Sequence, residues 1–397
     1  MPTVTLLEED RRGEWDPLIG ATVGSWRIAR KLGAGGMGAV FLARHPGIGA
    51  RVAIKFLHSR YQSDRAAVER FFNEARAVNL IGHENIVKIL DFNVLPDGRR
   101  YFVMEFLEGR SLQSLLDAKQ AVPLSVAGPI VLQISRALQA AHERGITHRD
   151  LKPENVFLVS QMGRKHFVKL VDFGIAKLEP QGAQQGGAVT ETGVVMGTPA
   201  YMSPEQAAGR IGEIGRRSDV YSLGVVMYQL ATGRVPFEGP STAETLVKHL
   251  QERPRPPREL EQSVPAEYEA VILKALEKKR EDRFQSMKEL HDALRACMRA
   301  LGVSEELPVD DGPPAPPELD DETGPVPEGA QRPLPVPGTQ TSAGPLTLGG
   351  RVVEAAEWAV APERRMKIAA GVLGVIVLVG MVGISREQKH AHEIDKA

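Results

Sequence analysis

Residues 307–345 contain 11 prolines in 39 positions, and residues 303–332 carry nine acidic side chains against one basic, a balance of −8. Such a stretch cannot bury enough apolar surface to offset the entropy of ordering it. Residues 303–363 therefore read as a disordered, Pro-rich acidic linker. Any packed core must come from the sequence on either side of it. Upstream, residues 26–297 alternate strand-like and helix-like segments and read as one ordered domain. Residues 1–25 form a short acidic N-terminal segment, in which Glu8, Glu9, Asp10, Glu14 and Asp16 outnumber Arg11 and Arg12. No basic start leads into an apolar run there, so a secretory signal peptide is not expected.

Downstream of the linker, Arg364, Arg365 and Lys367 precede residues 368–384, which are 17 positions without a charge. At about 1.5 Å per residue they span roughly 25 Å, slightly less than a ~30 Å hydrocarbon core. Lys367 and Arg386 can snorkel at the ends. A buried soluble helix would need a domain around it, and neither linker nor tail supplies one. The expectation is a single transmembrane helix over 366–385, followed by a short tail, 386–397. The basic N-terminal flank leaves the upstream domain in the cytoplasm. Ala370 and Gly374 form a small-xxx-small pair, which favours pairing of two copies into a homodimer. The net charge of −1 gives no sign of nucleic acid as a partner. Cys297 is the single cysteine, which excludes a disulfide framework and a cysteine-built zinc site.

Within the ordered part, residues 27–44 read RIARKLGAGGMGAVFLAR. Gly33, Gly35 and Gly38 give G-x-G-x-x-G, followed by Val40. A dinucleotide-binding turn runs strand, glycines, helix. Here Ala39, Val40, Phe41, Leu42 and Ala43 form a short apolar strand. His45, Pro46 and Gly47 turn the chain into a second strand ending near Lys55. Strand, turn, strand argues against a Rossmann unit, and no Gly-Lys-Ser/Thr follows to make a Walker loop. Glycine lacks a β-carbon, so backbone N–H groups can lie close to phosphate oxygens. Lys55 stands where an ammonium reaches the same phosphates. A strand lysine is ordinarily a solvated edge charge, but Glu74, in the helical stretch 66–80, offers it an ion pair.

Residues 146–158 read ITHRDLKPENVFL. An apolar helix precedes them, with Ile130, Ile134, Ala137, Leu138 and Ala141 at helical spacing. A surface loop can hold such a polar cluster with no function. Asp150 and Asn155, however, are flanked by Leu151 and Pro153, which suggests a fixed shape. Leu170, Val171, Asp172, Phe173 and Gly174 repeat the device of a strand, an aspartate and a turn. Asn155 and Asp172 offer two oxygen ligands that suit magnesium, which favours hard oxygens and substrate phosphates.

Taken together, GAGGMGAV, VAIK, HRDLKPEN, DFG and GTPAYMSPE stand in the order and spacing of the eukaryotic-type protein kinases, and the chain resembles that family over residues 26–297. Five separate patterns would have to coincide by chance. The GGMG and GTPAYMSPEQA strings resemble bacterial (Hanks-type) serine/threonine kinases. The resemblance implies an α+β, two-lobed protein kinase fold, with a β-rich N-lobe and a helical C-lobe. It implies ATP and Mg2+ as cofactors, with Mn2+ as an alternate ion, and proteins with Ser/Thr acceptors as substrates. It assigns Asp150 to the substrate hydroxyl and its proton, Lys152 to the transferred phosphate, and Asn155 and Asp172 to the metal. It assigns Lys55 to the α/β-phosphates, with Glu74 as its helix partner. Leu32, Gly33, Ala34, Gly35, Gly36, Met37, Gly38, Ala39, Val40 and Ala53 would enclose the nucleotide. Glu105 and Leu107 would present hinge backbone groups, with Met104 deep to them. Arg283 resembles the arginine that pairs with Glu205, and Ser218, Asp219 and Val220 open a stretch that resembles the family's core helix. Thr198 in Gly-Thr-Pro, with Lys152, implies serine/threonine specificity. Thr190 and Thr192 are the expected sites of autophosphorylation, with Arg149 beside the catalytic aspartate to receive a phosphate.

This reading places the enzyme at the bacterial inner membrane in signal transduction. The rival readings are a catalytically inactive, membrane-tethered kinase-like binding module and a small-molecule phosphotransferase. The first usually lacks the lysine, the loop aspartate or the metal aspartate. The second lacks the Ser-Pro-Glu segment. All of these residues are present here.

Overall fold

The computed structural model describes residues 18–118, 121–161, 163–174 and 199–307. Residues 308–363 of the expected linker, the expected membrane helix and tail, and Thr190, Thr192 and Thr198 lie outside them. Among the described residues no helix is long and apolar enough to cross a membrane.

The N-terminal lobe is a six-stranded antiparallel sheet. Its strands are β1 (Thr22–Val23), β2 (Trp26–Gly35), β3 (Gly38–Arg44), β4 (Arg51–Leu57), β5 (Ile89–Val94) and β6 (Arg100–Glu105), in the order β1-β2-β3-β4-β6-β5. Helix α1 (Arg65–Ile81) joins β4 to β5. The Asp64 carboxylate starts this helix by accepting the Ala66 and Ala67 N–H groups, and Gly82, at φ 60°, ends it. One face of the sheet packs Ile28, Phe41, Val52, Ile54, Phe56 and Val103. On the other, Leu57 and Phe102 receive Phe71 and Ala75 of α1, with the Phe71 and Phe102 rings 4.9 Å apart. That packing aims Glu74 at β4.

The packed unit is longer than the 26–297 expected. Leu18 and Val23 are buried in the N-lobe core, inside the segment read as an acidic terminus. At the other end, Val303 packs on the C-lobe core, and Glu305 accepts two bonds from Arg295 Nε at 2.8 and 3.0 Å. The linker therefore does not begin at 303.

The C-terminal lobe holds α2 (Leu112–Ala118), α3 (Leu124–Glu143), α4 (Pro204–Ala207), α5 (Arg216–Thr232), α6 (Thr242–Gln251), α7 (Pro257–Leu260), α8 (Ala266–Ala275) and α9 (Met287–Ala300). Every residue of α5 from Ser218 to Ala231 is buried, so this helix is the axle on which α3, α8 and α9 pack. A three-stranded sheet, β7 (Gly109–Ser111), β8 (Val156–Gln161) and β9 (Arg164–Leu170), lies against α2 and α3. The lobes are also stitched behind α1. Val87 N–H donates to Leu170 O at 3.0 Å, and Leu170 N–H to Asn85 O at 2.8 Å. Asn85 Nδ2 reaches Gln133 and the Val168 carbonyl. The fold is α+β and two-lobed, as the sequence led one to expect.

Candidate active site

Lys55 sits in the middle of β4, paired with Val40 on one side and Phe102 on the other. It is almost wholly buried, and its Nζ donates to Glu74 Oε1 at 3.1 Å and to Asp172 Oδ1 at 2.8 Å. The ammonium also lies 5.6 Å from the Phe102 ring centroid. Burial works against a charged lysine, but Asp172 and Glu74 outweigh it and raise Lys55 above its ordinary range. Burial lifts the Glu74 carboxyl above the usual range, with Lys55 opposing. For Asp172, burial also pushes upward, yet the Lys55 ammonium wins and holds the carboxyl low. The Asp172 side chain keeps 49% of its surface although it lies deep in the cleft, so one of its flanks faces open space.

Asp172 owes its place to the turn after β9. Its own φ is 53°, a left-handed conformation uncommon for an aspartate. Phe173 is buried against the His148 ring at 4.5 Å, and Gly174 N–H donates to His148 O at 2.8 Å. A β-carbon on Gly174 would stand 2.9 Å from that of Asp150, so glycine is required for the two segments to lie this close. Val171 N–H donates to Asn155 O at 3.0 Å. The aspartate pair and Asn155 thus share one cavity floor.

Below, Asn155 Nδ2 donates to Asp150 O at 2.8 Å and to Asp150 Oδ2 at 3.3 Å. With the amide nitrogen so committed, Oδ1 is the atom left for a cation. Lys152 Nζ lies 3.9 Å from Asp150 Oδ2. Among the described residues no group of three or more His, Cys, Asp or Glu is gathered as in a metal cage. Two oxygen donors, Asn155 and Asp172, instead fit a cation whose other ligands come from phosphate and water.

The glycine turn divides into two kinds of glycine. Nothing lies within 4 Å of where β-carbons on Gly33 and Gly35 would point, whereas one on Gly38 would collide with the Phe56 carbonyl at 1.8 Å. Gly38 is therefore required by strand pairing, and Gly33 and Gly35 keep the open face. Ala39 is fully buried in the lobe core, so only its main chain is available to a ligand. The carbonyls of the turn are taken from behind. His58 reaches Gly35 O, Arg60 donates to Gly36 O at 2.9 Å, and His58 N–H donates to Met37 O at 2.9 Å. Neither His58 nor Arg60 stood out in the sequence. Ala53 pairs with Met104 across β4 and β6, and Leu32 on β2 is exposed. The Glu105 carboxylate is bound to Lys169 at 2.8 Å and to Lys88 N–H at 2.8 Å, so its contribution at the hinge is main chain. A cavity of about 490 Å3 opens beside the hinge, lined by residues 48–51, 105–108, 159–161 and Lys169. None of Lys55, Asp150, Asn155 and Asp172 lines it.

The loop carrying Asp150 hangs on α5. Asp219 Oδ1 accepts Arg149 N–H at 2.9 Å, and its Oδ2 accepts His148 N–H at 2.8 Å and pairs with His142 Nε2 at 2.7 Å. Burial works against the Asp219 carboxylate, but these donors outweigh it and hold it below the usual range. Arg149 has φ 67°. Sequence reading placed Asp219 only in a core helix and passed over His142, which lies at the end of an otherwise apolar helix. Nearby, Arg283 grips Glu205 through two bonds of 2.9 and 3.0 Å, and Ser218 donates to the same carboxylate at 2.6 Å. The pairing of Arg283 with Glu205 is the one expected.

Comparison with known proteins agrees with this geometry. The family described as "Protein kinase domain" matches residues 26–294. Serine/threonine-protein kinase Pkn1 of Myxococcus xanthus is 48% identical over 283 residues, 71% of this chain and 40% of Pkn1. Serine/threonine-protein kinase PrkC of Bacillus subtilis is 36% identical over 290 residues, 73% of this chain and 43% of PrkC. The chain thus spans less than half the length of these two relatives. The crystal structure of the Mycobacterium tuberculosis PknI kinase domain superposes with a TM-score of 0.52 at 28% identity, covering 70% of this chain and 98% of that one.

Proposed function

The chain belongs to the protein kinase domain family, and we propose that it is a serine/threonine kinase that transfers the γ-phosphate of ATP to hydroxyls of proteins. The observation that carries the reading is the buried Lys55, tied to Glu74 and Asp172, across one cleft from Asp150 and Asn155. Phosphoryl transfer asks a protein mainly for alignment and charge neutralisation. Lys55, fixed by two carboxylates, presents its charge to the phosphates, and the open face of Gly33 and Gly35 lets backbone N–H groups approach them. Asp150 orients the acceptor hydroxyl and receives its proton, while Lys152, 3.9 Å away, meets the transferred phosphate. Mg2+, or Mn2+, would be held by Asn155 and Asp172 and would neutralise phosphate charge. Hinge main chain at Glu105 and Leu107, with Ala53, Val40 and Leu32, encloses the base. The test is transfer of label from γ-labelled ATP to myelin basic protein, with Asp150→Asn alongside. Equal labelling by both proteins would sink the assignment.

The same reading covers regulation. The Nε of Arg149 is buried with no hydrogen-bond partner among the described residues, a vacancy suited to a phosphothreonine at Thr190 or Thr192. Intact-mass spectrometry after ATP and magnesium should show added phosphate, and an unchanged mass would reject this. The uncharged run 368–384 and its basic flank support a single-pass anchor in the bacterial inner membrane with the kinase domain cytoplasmic. Ala370 and Gly374 support pairing of two copies, which would favour phosphorylation between them. Carbonate-washed membranes should retain the full chain and lose residues 1–363; a soluble full chain would count against the anchor.

A further inference from the structure

Gln206 follows Ser203, Pro204 and Glu205 and forms the third residue of α4. Both ends of its amide are used. Oε1 accepts the Ser203 N–H at 3.0 Å, and Nε2 donates to the Arg149 carbonyl at 2.8 Å. The Ser203 hydroxyl in turn accepts the Gln206 N–H at 3.3 Å, which closes a capping box. The half of this arrangement that faces the cleft is not needed to cap the helix.

The Arg149 carbonyl belongs to the peptide group that joins Arg149 to Asp150. On the other side of Arg149, its N–H is taken by Asp219 of α5 at 2.9 Å. Arg149 has φ 67°, and a non-glycine residue holds such a conformation only where its surroundings over-determine it. Here α5 fixes the N–H end and α4 the carbonyl end. Without Gln206 the peptide before Asp150 keeps only the long 3.4 Å bond from its N–H to His148 Nδ1, so its carbonyl end loosens and the Asp150 carboxylate shifts with it. A misplacement near 1 Å can cost about a hundredfold in rate.

Resting on the kinase reading above, we infer that Gln206 is a positioning residue. Its amide sets the peptide plane of Asp150 and ties it to residues 199–207, the segment that follows the expected phosphorylation sites. The chemistry demands an amide. Ser203 N–H is a donor and Arg149 O an acceptor, so the side chain between them must accept at one end and donate at the other. An ionised carboxylate accepts at both ends and places charge against the carbonyl. A protonated carboxyl satisfies both partners again.

That difference supplies the test. The full chain and its Gln206→Glu variant are compared in steady-state transfer to myelin basic protein from pH 8 to pH 6. At pH 7.5 the variant should lose about 10- to 100-fold in kcat, with KM for ATP within about twofold, because Lys55 and the glycine turn are untouched. A glutamate with an ordinary pKa of about 4.3 stays ionised from pH 8 to pH 6, so the loss should persist across that range. A kcat within twofold of wild type at pH 7.5, or a KM for ATP that rises as much as kcat falls, overturns the inference. Should the variant melt more than about 5 °C early, Gln206→Met decides. It must lose kcat to a similar extent, with a ratio flat in pH, and a wild-type kcat in this variant overturns the inference. A wild type that labels no acceptor removes the kinase reading and this inference with it. An active wild type beside an unaffected variant removes the inference alone.

Discussion

Above the cleft, Lys55 and Glu74 come from a strand and a helix of the N-lobe, and they meet Asp172, on the turn after β9, through charge. Below it, Asp150 and Asn155 sit on a loop whose backbone is bonded to the axle helix through Asp219, with Glu205 and Arg283 locked beside it. These three residues are carried by separate elements. Move α1, and Glu74 leaves; turn residue 172, and the second carboxylate leaves. The lower set cannot move without opening the C-lobe core. Charge networks between separate elements can switch, whereas backbone bonds to a buried helix stay fixed. The upper half should therefore govern activity with little effect on stability, and the lower scaffold should govern stability.

The strongest challenge to that division is Asp150→Asn. It changes the proposed proton acceptor in the lower half and none of the scaffold's hydrogen-bond donors. Transfer should fall about a thousandfold or more, while Tm stays within about 2 °C. A large loss of Tm would mean that Asp150 is itself part of the scaffold. Next comes Arg283→Met. It leaves the Glu205 carboxylate buried with only Ser218 as a side-chain partner. Burial raises that carboxyl, and Arg283 is what holds it low. Breaking such a pair typically costs about 3–5 kcal/mol, which for a domain of this size lowers Tm by about 5–8 °C. The folded fraction should keep kcat within about tenfold. Scanning calorimetry beside a transfer assay at 15 °C reads both quantities.

How much of this was legible beforehand follows the same division. The proposed site residues were readable because their types stand at fixed spacing: Lys55, Asp150, Asn155 and Asp172 sit in strings that mean little else in combination. The scaffold was less visible. Asp219 and His142 act from inside helices, where a polar residue on an apolar face leaves no local signature, and their partners lie 70 and 77 residues away. Gly38 looked like its neighbours in the turn, yet its reason is the Phe56 carbonyl on the next strand. Leu18 and Val23 were hidden behind acidic residues, because charge was counted and packing could not be.

Glu74→Gln sharpens the comparison from above. The amide removes one charge from Lys55 but leaves Asp172 at 2.8 Å. The expected loss in kcat/KM for ATP is about 10- to 100-fold, since the lysine loses its anchor to α1 and the parts act as a unit. Stability should change by less than about 1 kcal/mol, because burial already disfavours the Glu74 carboxylate. A Tm drop as large as that of Arg283→Met would erase the distinction between the halves.

The smallest expected effect tests the scaffold through pH. His249 of α6 is buried, with Nδ1 3.0 Å from the Tyr221 hydroxyl and the backbone of Pro199 and Ala200 beside it. Burial, then the neighbouring Lys278 ammonium, lowers its pKa from 6.5 to about 3. The folded state therefore keeps this imidazole neutral where the unfolded chain takes up a proton. Below pH 6.5 the unfolded state binds more protons, so stability falls as pH falls, and the loss continues until the folded form also protonates near pH 3. Above 6.5 the contribution is complete. Comparing wild type with His249→Gln cancels the carboxylates that titrate lower down. The stability difference between them should shrink by about 1–2 kcal/mol from pH 7 to pH 5, read from urea midpoints at each pH. A difference that is constant over that window would mean that His249 is not held neutral by the lobe, and that this part of the scaffold is looser than the bonds around Asp219.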